Sequence, residues 1–220
     1  MAFFGIFKRS AKELSDQRCI TVTAILIALD LVLKFYLNWQ VTDELKISFA
    51  FVAIAAIGML YGPTVGALAC VVTDVVGFLI KPSGTFSPLF TLVEVMGGVL
   101  YGLFLYGFNP IKPDLESPKA FFKSVFSNWG AALRITLAKI SVAVMCNLIM
   151  TPLFITLQKQ MEASDFTPAV FWAGFISRVG TRLVKNAIEA PIHILILMLT
   201  LFPIMAVYRS VFKKQRIANN

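Results

Sequence analysis

Arg178, Arg182, Lys185, Glu189 and His193 are spaced by 4, 3, 4 and 4 residues, so a helix carries all five on one face. Arginine presents a planar fork of donors that matches a carboxylate or a phosphate, and two forks one turn apart can clamp a dicarboxylate. Lys185 and Asn186 add donors beside them, and Asn147 is a further polar candidate in another apolar stretch. A structural account fits the same stripe: the cations snorkel to a membrane interface, or pair with Glu189 and Asp74 to tie helices together.

Asp74 and Glu94 are the acidic counterparts. A carboxylate among rings such as Phe78, Phe86 and Phe90 can accept two hydrogen bonds from the amidine-like edge of a heteroaromatic ring. Each acid equally suits the neutralisation of Arg178 or Arg182. Asp30 and Lys34 lie one turn apart and read as an intrahelical pair. Most of the 20 phenylalanines face lipid or core. Phe49, Phe51, Phe86, Phe90, Phe171 and Trp172 instead adjoin the expected outer loops, where flat rings can sandwich a planar ligand.

These groups need a membrane scaffold. Apolar residues make up 58% of the 220, mean hydropathy is +0.78 and 15% of residues are charged. So little charge cannot cover a water-facing surface, which excludes a soluble domain and a disordered chain. At roughly 20 residues per crossing, the apolar runs predict an all-α bundle of six transmembrane helices, near residues 19–37, 47–60, 64–80, 88–108, 132–157 and 178–208. Outer loops fall at 38–46, 81–87 and 158–177, the last containing a short amphipathic helix from Pro168 to Ser177, and a lysine-bearing connector spans 109–131. Basic residues in both tails, 1–18 and 209–220, place the termini in the cytoplasm. The first span follows its basic flank without an evident small-residue cleavage site, so no signal peptide is expected to be removed. An ionisable group at the centre of a bilayer costs at least about 2.5 kcal/mol, so those within the spans should face a cavity or a partner.

Several functions are excluded. Cys19, Cys70 and Cys146 have no CxxC spacing and read as packing residues, and a single histidine cannot build a metal site. There is no HExxH and no GxxxxGK[ST], so neither a metal nor another cofactor is expected, and no ATP hydrolysis by a P-loop. No nucleophile and base stand at catalytic spacing, which argues against an enzyme. A self-sufficient transporter coupled to protons or sodium through Asp74 and Glu94 is the competing class, but the two halves show no convincing repeat.

The stretches KISFAFVAIAAIGMLYGPTVGALACVVTDVVGFLI (Lys46 to Ile80), FSPLFTLVEVMGGVLYGLFLY (Phe86 to Tyr106) and RVGTRLVKNAIEAPI (Arg178 to Ile192) resemble the substrate-binding S components of energy-coupling factor vitamin transporters, most closely the folate-specific ones. The match covers about residues 18 to 208. The resemblance implies a six-helix subunit in a bacterial plasma membrane that captures folate from outside. It also implies partners, a transmembrane coupling subunit and two ATPases, and no nucleic acid. Ala24 and Ala28 match the alanine motif by which such components dock on the coupling subunit. Glu94 stands where folate-specific relatives are expected to have a small or neutral residue, and that departure points toward another vitamin or a precursor as the alternative ligand.

Overall fold

A computed structural model of the chain describes residues 2–40, 46–82, 86–107, 117–162 and 167–218. Its helices are α1 (Ala2–Glu13), α2 (Gln17–Tyr36), α3 (Phe51–Tyr61), α4 (Pro63–Ile80), α5 (Pro88–Leu105), α6 (Pro118–Ser127), α7 (Trp129–Val142), α8 (Thr151–Glu162) and α9 (Pro168–Ala218). A π-helical stretch, Ala143–Met150, joins α7 to α8 as one rod. Between α2 and α3, β1 (Asn38–Gln40) pairs antiparallel with β2 (Lys46–Ser48).

Among the described residues, five helical segments are long and apolar enough to cross a membrane: α2, α4, α5, the α7–α8 rod and α9. The sixth apolar element differs from expectation. The run from Ile47 to Leu60 does not form one span: it starts in β2 and becomes helical only at Phe51. The 11 residues of α3 reach about 16 Å, half of a bilayer core. Nine of them are buried, so α3 is the core of the bundle and not a lipid-facing helix.

The last segment also corrects the sequence reading. No break separates Pro168–Ser177 from a span starting at Arg178; α9 runs unbroken for 51 residues. Pro191 and Pro203 lie inside it without ending it. The expected outer loop 158–177 is accordingly helical at both ends, with 163–166 outside the described residues, and the connector 109–131 contains α6. Residues 41–45 and 83–85 of the other two outer loops also lie outside the described residues, as does 109–116 of the connector.

Helices α3, α4 and α5 meet along a glycine seam. A Cβ on Gly66 would stand 2.8 Å from the Gly98 carbonyl oxygen, and one on Gly58 2.8 Å from the Gly102 amide. On Gly102 it would collide with the Pro63 backbone. Small residues thus let the backbones touch, the usual basis of helix association in lipid. The α3–α4 turn is made by Gly62, whose φ of 87° suits glycine, and Pro63 starts the next helix.

Gly62 has no side chain to cap α4, and α1 supplies the missing acceptor. The fully buried Ser10 Oγ accepts from the Thr64 and Val65 amides at 3.0 and 3.3 Å and donates to the Tyr61 carbonyl at 2.6 Å. Tyr106 Oη donates to Glu13 at 3.1 Å. Burial, with the Glu13 carboxylate beside it, holds the Tyr106 hydroxyl above its ordinary pKa, so it remains a donor. The end of the bundle carrying α1, the α3–α4 turn and α6 is called the tail end below.

Candidate functional site

At the opposite end the helices separate around a cavity of about 400 Å³. Asp30 and Lys34 of α2, Phe51 of α3, Glu94 and Tyr101 of α5, Lys139 of α7, Asn147 of the π-helical stretch and His193 of α9 all line it. Local contacts hold Asn147, Phe51, Lys139 and His193 there. The π-helical stretch holds Cys146 Sγ against the Val93 carbonyl at 3.5 Å, and Thr151 Oγ1 donates to the Cys146 carbonyl at 2.6 Å. Asn147 Nδ2 donates to Asn186 Oδ1 at 2.8 Å, and Asn186 in turn donates to the Arg182 carbonyl at 2.8 Å. The Phe51 ring sits 4.2 Å from the His193 imidazole, with the buried Lys139 ammonium 5.1 Å above it.

Several polar groups here have no hydrogen-bond partner among the described residues: Asp30 Oδ1, Tyr101 Oη and both nitrogens of His193. Such groups cost about 1–3 kcal/mol each when buried, so a cluster of them around one cavity marks a place for a polar ligand. A smaller cavity of about 280 Å³ lies beside it, between α2, α4 and α5. It is lined by Asp74, Lys81, Phe35, Phe78, Phe86 and Phe90, and Lys34 lines both cavities. Thr91 Oγ1 donates to Asp74 Oδ2 at 2.5 Å, and the Phe78 and Phe86 rings meet edge to face at 5.2 Å. Together the two spaces offer cations, carboxylates and aromatic faces, the groups that orient a polar aromatic ligand.

The sequence of ECF transporter substrate-specific components matches residues 18–201. The chain belongs to that family. This S component is therefore a non-catalytic, substrate-binding subunit and a multi-pass membrane protein. Among its relatives, the folate transporter FolT of Clostridium novyi (strain NT) is 30% identical over 174 residues, covering 79% of this chain and 82% of its own. The folate transporter FolT of Streptococcus mutans serotype c is 28% identical over 186 residues, covering 84% and 86%. A crystal structure of FolT bound with folic acid superposes with a TM-score of 0.58 at 28% identity, covering 83% of this chain and 91% of that one.

The S component gathers its sequence candidates unevenly. Glu94 and Asn147 line the larger cavity, and Asp74, Phe78, Phe86 and Phe90 line the smaller. Asn186 stands one step behind, holding Asn147. Arg178, Arg182 and Lys185 line neither. Arg178 Nη1 donates to Thr156 Oγ1 at 3.1 Å and to the Gly174 carbonyl at 3.0 Å, while Lys185 pairs with Glu189 at 3.6 Å. Phe49 and Trp172 also line neither; Trp172 is exposed and packs edge-on against Phe171 and Phe175. Ala24 and Ala28 are exposed on α2, on a face shared with Ile25 and Leu29.

Sequence reasoning missed Lys139 and Tyr101, and gave Asp30 and Lys34 only to each other. For Lys139 a signal existed: it is a cation well inside an apolar run, costly in lipid and therefore turned inward. Tyr101 carries no such mark, because a tyrosine in an apolar helix is ordinary.

Proposed function

We propose that this S component binds folate across the two neighbouring cavities that share Lys34 and delivers it as the capture subunit of an ATP-driven importer. The reading rests on one observation above the others: buried carboxylate, ammonium, imidazole and phenol groups line one cavity of ligand size, with the Lys139 ammonium and the His193 imidazole against the Phe51 ring. Folate joins a planar pterin to a glutamate with two carboxylates. The pterin's amino-substituted edge is a paired donor that suits Asp30 or Glu94, and its ring suits Phe51. Lys34 and Lys81 then face the glutamate carboxylates, with Phe78, Phe86 and Phe90 around the linking ring. The folate transporters among the relatives favour the same ligand.

Titration calorimetry on the purified protein with folate, thiamine, riboflavin and pantothenate tests this directly. Submicromolar binding of folate alone is the expected result. Binding of another vitamin in its place would keep the subunit and discard the ligand.

The partners follow as part of the proposal: a transmembrane coupling subunit and two ATPases, in a bacterial plasma membrane with both termini cytoplasmic. The exposed alanine face of α2 suits close approach of a partner helix. Replacing Ala24 and Ala28 together with tryptophan should abolish uptake while folate binding persists, and loss of binding as well would remove the assignment.

A further inference from the structure

We propose that α1 and α6 form a basic collar that binds anionic phospholipid headgroups at the tail end of the bundle. The two helices are separate in sequence and use their faces in the same way. On α1, Ser10 is locked into the α3–α4 turn, and the Phe7 carbonyl accepts from Thr64 Oγ1 at 3.0 Å. Lys8, Arg9 and Lys12 are exposed on the other side, beside Phe4, which is 83% exposed. On α6, Val125 is fully buried and Phe121 packs on the core, while Lys119, Lys123 and Phe122 are exposed.

The charges on these two helices are nearly all of one sign. Glu13 is the acid of α1 and it accepts from Tyr106; α6 contains none. A basic face with an exposed phenylalanine beside it fits a lipid interface, where the ring enters the acyl boundary and the cations meet phosphates. An acidic protein surface would satisfy the cations but would leave the rings without a matching environment. The same end also carries an apolar groove of about 400 Å³, lined by Val22, Leu26, Leu60, Pro203, Ile204 and Val207 among others, which suits an acyl chain.

The test reconstitutes the full chain in bilayers of equal phosphatidylglycerol and phosphatidylcholine, extracts it in mild detergent and measures the lipids retained by native mass spectrometry. Each basic residue that reaches a headgroup favours the anionic lipid by up to about fivefold. The wild type should retain phosphatidylglycerol several-fold above the input ratio, less so at high ionic strength. The variant K8Q/R9Q/K12Q/K119Q/K123Q should return to the input ratio while still binding folate. If that variant does not fold, K119Q/K123Q alone should give an intermediate ratio. Input-ratio lipid on the wild type, or enrichment unchanged in the variants, overturns the proposal. So does displacement of the lipid by inorganic phosphate, which would mean a site for free anions.

Discussion

Helices α4 and α5 behave differently at their two ends. Toward the tail end they touch backbone to backbone, with Gly66 against Gly98 and Gly102 against Pro63. Two to three turns away the same pair separates enough to hold Asp74, Phe78, Phe86 and Phe90 around a cavity. At the close-packed end the buried polar side chain Ser10 is fully satisfied, donating to the Tyr61 carbonyl and accepting from the Thr64 and Val65 amides. At the open end polar side chains accumulate, and in the adjoining larger cavity Asp30, Tyr101 and His193 carry buried polar atoms without a partner among the described residues. A membrane bundle that must both persist and bind can divide the two tasks along one helix pair: close contact supplies rigidity, and separation supplies the site.

The sharpest way to break that division is at Lys139. Lys139→Ala removes the buried ammonium above Phe51 and takes one of the two lysines out of the cavity lining. Folate affinity should fall by about 2–5 kcal/mol, read by calorimetry, with Lys139→Arg recovering part of it. Unchanged affinity would move the site elsewhere. At the other end Gly102→Ala drives a methyl into the Pro63 backbone, where nothing can yield cheaply. A loss near 3 kcal/mol is expected, visible as a lower Tm. The same folate affinity per folded molecule should remain, and a Tm equal to the wild type's would show that the seam can slide.

Much of this architecture could be read from the sequence. The apolar runs located α2, α4 and α5 to within a few residues, because length and hydropathy are set by the bilayer and not by the neighbours. The shortness of α3 was hidden: β2 and α3 form one apolar run, and only burial on all sides distinguishes it from a span. The continuity of α9 was hidden because polar residues normally end a span, yet here Arg178 and Lys185 have partners along the helix. The site divided similarly. Asp74, Phe78, Phe86, Phe90 and Glu94, picked out by depth and residue type, line the two cavities. Spacing found that Arg178, Arg182 and Lys185 share a face, but which neighbour that face meets is a tertiary fact no spacing contains.

Between the two extremes lies Asn186, which is buried and holds Asn147 at the cavity wall. Asn186→Ala leaves the Asn147 amide without its acceptor, at about 1–2 kcal/mol. The effect should divide between a modest loss of Tm and a loss of roughly tenfold in folate affinity. Asn186→Asp, which keeps the acceptor, should recover most of the affinity. A variant that loses Tm alone would make Asn186 a packing residue only.

The smallest effect separates the cationic stripe from the cavities. Arg178 is half-buried and donates to Thr156 and the Gly174 carbonyl, which ties α9 to α8 and to its own preceding turn. If that is its task, Arg178→Ala removes a hydrogen bond from a charged donor and leaves Thr156 with its bond to the Pro152 carbonyl. Stability should then fall by about 1 kcal/mol, measured by thermal unfolding in detergent, while folate affinity stays within about 0.5 kcal/mol of wild type. Were Arg178 instead a clamp on the ligand's carboxylates, its removal would leave a charged partner poorly paired and weaken binding by about 2 kcal/mol or more. Unfolding and calorimetry on the one variant therefore tell apart a stripe that fastens helices from one that binds.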